Sequence, residues 1–142
     1  MNTRLPLLAA LLLCATWSPL FAAPPELTVL RQQFDKILAE RVTAPFDAGL
    51  AELNTKFTTA LDNAATSAKK TGRLDDVLAI QDDQKRLAEK LPIPDDIETT
   101  PALLKPLRAI YREQLQKLTD ARTANHSALL PAYTAKLQAL EV

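Results

Sequence analysis

The sequence predicts an all-α fold: an elongated antiparallel helical hairpin, or three-helix coiled-coil-like bundle, behind an N-terminal signal peptide. Three observations carry that expectation. Ala and Leu dominate the composition and Val and Ile are sparse, which is the composition of helix formers. Apolar residues recur at steps of three and four along two long stretches, the spacing of a packed helix face. Aromatics make up only 5% of the 142 residues, thin for a compact globular core, so the helices should pack as a slender body. The same inventory narrows function. Lys+Arg and Asp+Glu balance at 17 each, without the basic excess of a nucleic-acid binder. Two Gly, one Cys and one His leave no disulfide scaffold, zinc ribbon, Cys/His nucleophilic site or Gly-rich phosphate loop.

The N-terminus has the order of a secretory signal. Met1–Arg4 carries one positive charge, Leu5–Phe21 is almost wholly apolar, and Ala22-Ala23 precede Pro24-Pro25. Residues 1–22 are read as signal peptide, cut after Ala22, because cutting after Ala23 would leave Pro24 first and Phe21 three residues upstream. The alternative is an N-terminal membrane anchor, which the short run and Pro6 and Pro19 disfavour. Cys14 follows Leu13 rather than the small residue a lipidation site wants. Cleavage removes Cys14 and Arg4, leaving residues 23–142 as a single elongated helical domain without cysteine and with 16 − 17 = −1 net charge. The expected compartment is secreted or periplasmic, with no stable membrane span after cleavage.

The first helix is expected over 26–71. Pro24-Pro25-Glu26 open it, and Leu27, Leu30, Phe34 and Leu38 begin its apolar face. Leu50, Leu53, Phe57, Leu61, Ala64 and Ala68 continue it. Pro45 cannot donate to the Arg41 carbonyl, which predicts a kink near 45, with Thr43 able to cap the restart. Arg31/Asp35 and Glu52/Lys56 sit four apart as solvated surface. Lys69-Lys70-Thr71-Gly72 ends the helix, with Gly72 in the left-handed conformation beyond the last turn.

The second helix is expected over 75–91, capped by Asp75, with Leu74, Val77, Leu78, Gln81, Gln84, Leu87 and Leu91 facing inward. Two prolines, Pro92 and Pro94, make 92–100 an extended linker. The third helix is expected over 101–141. Pro106 disturbs its first turns, so its regular part starts as late as Lys105, and Pro131 predicts a bend. Its seam runs Leu104, Leu107, Tyr111, Leu115, Leu118, Arg122, Asn125, Leu129, Tyr133, Leu137, Leu140, with Arg122 and Asn125 as a polar layer.

The first and third helices match each other. Leu30-Arg31-Gln32-Gln33-Phe34 aligns with Leu107-Arg108-Ala109-Ile110-Tyr111 at an offset of 107 − 30 = 77. Leu53, Phe57 and Leu61 align with Leu129, Tyr133 and Leu137 at 129 − 53 = 76. Aromatics at the same two places set this apart from mere periodicity. An antiparallel return of the third helix along the first would then put Phe34 against Tyr133 and Phe57 against Tyr111. That path buries both apolar series along their length, which outweighs a plain up-down-up arrangement.

Leu53–Leu87, with Phe57, Leu61, the Lys69–Gly72 turn and Leu74-Asp75-Asp76-Val77-Leu78-Ala79-Ile80-Gln81, resembles the helical-hairpin (coiled-coil-like) repeats of uncharacterised secreted bacterial proteins. Arg73 replaces the first Asp of their Gly-Asp-Leu-Asp turn. The resemblance implies a fold and a compartment; its motifs encode caps and seams, and no activity comes with them.

Candidate chemistry is sparse. His126 is alone on its helix, with only Asp120 among nearby carboxylates, and reads as a surface or seam histidine. Asp75-Asp76, Asp82-Asp83 and Asp95-Asp96 with Glu98 are acidic pairs; the last could hold calcium weakly, but the EF-hand glycine spacing is absent. No catalytic, metal or cofactor residue is assigned. Lys69, Lys70 and Arg73 cluster at the hairpin tip as a docking site for an acidic partner or lipid headgroups, against the plain reading as dipole complement. The leading expectation is an exported, non-enzymatic interaction or spacer module of the cell envelope with a protein partner, and with self-association plausible. A periplasmic client- or ligand-binding, chaperone-like bundle comes second and an enzyme third.

Overall fold

A computed structural model describes residues 25–140, and every described element is helical. The expected signal peptide over 1–22 and its expected cut after Ala22 lie outside the described residues, as do Cys14 and the last two residues. Helix α1 spans Pro25–Leu38 and α2 Ala44–Lys70, joined without a break by a π-helical stretch, Ala39–Thr43. Helix α3 spans Leu74–Ala88 and α4 Leu104–Leu140. At the α-helical rise, α1 through α2 runs about 70 Å and α4 about 55 Å.

The irregularity expected at Pro45 is the π-helical stretch immediately before it. Ala44 N–H bonds to Ala39 O, one residue farther back than in an α-helix. This widening precedes the residue that lacks an N–H and would crowd the Arg41 carbonyl. Thr43 does not cap a restart: its backbone is helical (φ −73°, ψ −52°) and its side chain makes no capping bond. Pro106 sits in the first turn of α4, where no intrahelical N–H is required, and the helix also continues through Pro131.

Helix α4 returns antiparallel along α1 and α2. The Phe34 and Tyr133 rings lie with centroids 4.2 Å apart, and those of Phe57 and Tyr111 4.5 Å apart. Both pairs are the ones the matched periodicities require. The expected polar layer lies at the surface: Arg122 and Asn125 are both exposed, although the Arg122 guanidinium reaches to 4.8 Å from the centre of the Phe46 ring. At Gly49 a Cβ would come within 2.6 Å of Leu118 Cδ2, so the bare glycine lets α2 and α4 close together.

The body has two unequal halves. Around α2, α3 and the first half of α4, three helices enclose Leu53, Phe57, Leu61, Ala65, Ala68, Val77, Ile80, Leu104 and Tyr111. Leu61, Ile80 and Leu104 are fully buried there, each stabilising by about 1.5–3 kcal/mol. Around α1 and the second half of α4 only two helices meet among the described residues. Phe34, Leu129, Tyr133 and Leu137 are half-buried, and Val29, Leu130 and Leu140 are exposed.

Helix α3 departs from expectation in three ways. It begins at Leu74 with Asp75 and Asp76 in its first turn, so the acids complement the dipole and Asp75 is not the cap. Its inner face is Val77, Ile80 and Asp83 with Ala79 and Leu87 beside them, whereas Leu74, Leu78, Gln81 and Leu91 are exposed. It ends at Ala88 rather than residue 91, because Lys90 turns left-handed (φ 57°). Leu91 N–H then bonds to Arg86 O and Lys90 N–H to Leu87 O, the Schellman pattern. Gly72 (φ 70°) ends α2 in the same way, with Arg73 N–H on Ala68 O and Gly72 N–H on Lys69 O.

Candidate interaction surfaces

The Schellman turn at Gly72 brings Lys69, Lys70 and Arg73 together at one end of the molecule, all exposed. They are not equivalent. The Arg73 guanidinium turns back onto its own helix start, 3.3 Å from Asp76 Oδ2, and its Nε donates to Thr71 Oγ1 at 3.2 Å. Lys69 and Lys70 form no ion pair among the described residues. The tip therefore offers two free ammonium groups beside an arginine already engaged.

A second charged feature lies inside. Asp83, fully buried on α3, accepts from Arg108 Nε and Nη2 at 2.8 Å each. Arg108 is 6% exposed, and its Nη1 also donates to Asp96 Oδ1 in the linker at 3.3 Å. Arg112 continues the chain, donating to Asp96 Oδ2 and, at 2.9 Å, to the Pro94 carbonyl. Thr100 closes the linker: its hydroxyl accepts from Ile97 N–H at 2.9 Å while its own N–H bonds to Ile97 O. The hydrogen bond from Arg108 to Asp83 outweighs desolvation and holds the guanidinium above its usual pKa. Partial burial pushes the Asp96 carboxyl up, but the hydrogen bonds from Arg112 and Arg108 prevail and keep it below the usual carboxylate range. Every buried side-chain polar atom among the described residues has a partner. This network pins the Pro-rich linker to α4 and aligns α3.

The network was not anticipated from the sequence. Its signal was the three-residue spacing Val77, Ile80, Asp83, which carries an apolar face straight onto an acid. Reading Gln81 and Gln84 as the inner face hid it. Gln84 is only half-buried and bonds outward to Asp62 Oδ1 at 2.7 Å.

Two shallow grooves run between the long helices. In one, Leu53, Lys56, Phe57 and Ala60 of α2 line one wall, and Leu107, Ile110, Tyr111 and Gln114 of α4 the other. In the second, Leu129, Ala132, Tyr133 and Lys136 of α4 face Leu30, Gln33, Phe34 and Ile37 of α1. These eight positions correspond one to one at the offsets 76 (129 − 53) and 77 (107 − 30), whereas Gly49, Glu52 and Leu118, which also line the first groove, have no counterpart in the second. A third, wider groove at the α1 end is lined by Val29, Leu30, Ala139 and Leu140, with Glu26 and Lys136 at its rim. Burial raises the pKa of Tyr111, whose hydroxyl donates to Asn54 Oδ1 at 2.9 Å.

The remaining candidates scatter. His126 is exposed on α4. Asp82 pairs with Arg86 at 2.8 Å, Asp83 is buried against Arg108, Asp95 projects fully into solvent, and Asp96 belongs to the linker network. The calcium reading of Asp95, Asp96 and Glu98 therefore loses its central acid to two arginines. Among the described residues no group of three or more His, Cys, Asp or Glu is arranged to hold a metal ion. No described helix is long and apolar enough to cross a membrane. In comparisons with known proteins, no family model, no curated protein and no solved structure matches this chain.

Proposed function

We propose that the protein is an exported, non-enzymatic helical module of the cell envelope that works as an interaction element or spacer. The observation that carries this reading is the rod itself. The start of α1, next to the signal-like segment, and the Gly72 tip lie at opposite ends of about 70 Å of continuous helix. Such a body sets a distance and presents a cationic tip at its far end. The eight-position groove correspondence supports reading the two long helices as copies of one unit, an internal repeat.

Two measurements test it. Intact mass of the protein from the envelope fraction should begin after Ala22; bulk protein retaining Met1 sinks the export reading. Pull-down from envelope extract should lose its partners when Lys69, Lys70 and Arg73 are all changed to Gln, and unchanged partners remove the tip.

A client-binding, chaperone-like bundle is the second reading, favoured by the exposed Val29, Leu130 and Leu140 of the two-helix half. It requires suppression of aggregation of an unfolded protein at near-stoichiometric amounts.

A further inference from the structure

We propose that the two-helix half carries a docking face, uncovered among the described residues, for a partner helix of the α3 type: amphipathic, with aliphatic residues three apart and an acid three further on. This rests on the interaction-module reading and names the partner's chemistry.

The offsets that relate the two grooves also relate the face that α3 covers to one that no other helix covers among the described residues. Beside Val77, Ile80 and Asp83 of α3, α2 contributes Ala65 and Ala68, which have no counterparts among the described residues, and Leu61, with Leu104, Arg108 and Tyr111 from α4. The counterparts of these last four are Leu137 on α4, and Leu27, Arg31 and Phe34 on α1. Each counterpart is more open than its mate. Leu104 and Leu61 are fully buried, but Leu27 and Leu137 only half so; Tyr111 is buried, but Phe34 half so. Arg108 is buried against Asp83, while Arg31 is exposed and forms no ion pair among the described residues. The difference at each pair has the sign expected where the third helix and its linker are missing among the described residues.

The repeat therefore specifies the occupant. On α3, Val77 and Ile80 fill the aliphatic positions and Asp83 meets the arginine. A helix of this pattern laid on α1 and α4 would bury the exposed Leu130 and give Arg31 a bidentate carboxylate. Asp35 stands where α4 has Arg112, so no copy of the linker contacts is expected, and a basic residue beyond the acid would suit this face.

The test uses the full chain and a labelled synthetic peptide of residues 73–91, which carries the α3 pattern. Anisotropy should show saturable one-to-one binding. Arg31→Asp should weaken it about tenfold or more, and the peptide with Asp83→Arg should restore binding to that variant. Binding that ignores Arg31 means the peptide merely displaces the protein's own α3, and overturns the proposal. No binding overturns it as well, and so does a dimer whose interface protects Leu27 and Leu137 from hydrogen exchange, since a second copy is then the occupant. Export and tip docking are read by other measurements, so their failure and this one are distinguishable.

Discussion

Arg108 and Asp83 form a two-pronged ion pair between α4 and α3, with both hydrogen bonds at 2.8 Å and both side chains shut away from water. In a body this slender, that pair and its link to Asp96 do what a larger core does elsewhere. They fix where α3 lies and where the linker crosses.

Breaking the pair from one side should be costly. Arg108→Ala leaves Asp83 buried without its partner in an apolar layer, and a loss of about 3–5 kcal/mol is expected in urea denaturation. Replacing both partners together, Asp83→Leu with Arg108→Leu, should cost far less than either single change. If the double variant loses as much as the two singles added, the side chains are not energetically coupled and the pair is not what holds α3.

The linker should respond to acid. Asp96 has a folded pKa below its unfolded value, so its ionised form favours the folded state. That contribution is complete above the ordinary carboxylate pKa of about 3.9. It is lost as the pH falls through the lowered folded value. Denaturant midpoints taken from pH 6 down to pH 2 should fall more steeply for the natural protein than for Asp96→Asn. Parallel curves would place the acid sensitivity elsewhere.

The large pattern of this fold was legible because periodicity encodes it. Steps of three and four located the helices, Gly72 marked the turn, and the matched aromatics fixed the antiparallel return. What escaped was decided by pair chemistry rather than by period. Leu74 and Leu78 look inward on a hydropathy count, yet the requirement to bring Asp83 onto Arg108 rotates α3 and leaves both in water. Lys90 ends that helix early from a residue type with no preference for the left-handed region, so nothing local announced it. The basic tip was visible as a charge cluster, but the bond from Arg73 back to Asp76 depends on a side-chain rotamer.

The two Schellman turns give a paired test. Lys90 holds a left-handed backbone at a cost of about 1–2 kcal/mol. Lys90→Gly removes that cost but loosens the unfolded chain, so a net gain of about 0.5–1 kcal/mol is expected. Gly72→Ala should do the reverse, losing about 1 kcal/mol. A Cβ at Gly72 has nothing within 4 Å, so the loss is conformational alone. Thermal melts of both variants would show it as shifts of opposite sign.

The two aromatic pairs share a geometry but not an environment, and that difference can be measured. The rings of each pair are tilted by about the same angle, 32° for Phe34–Tyr133 and 31° for Phe57–Tyr111. Pair geometry alone would therefore make truncation of either Phe equally harmful. Burial says otherwise. Phe57 is 4% exposed within the three-helix half, so Phe57→Ala opens a cavity and should cost about 3–5 kcal/mol. Phe34 is half-buried between two helices, where neighbours and water can close in, and Phe34→Ala should cost about half as much. The gap should narrow once an α3-type peptide is bound, because Phe34 then gains the third wall that Phe57 already has. Equal losses in the free protein would mean that the two halves are covered alike in solution, with something already seated on α1.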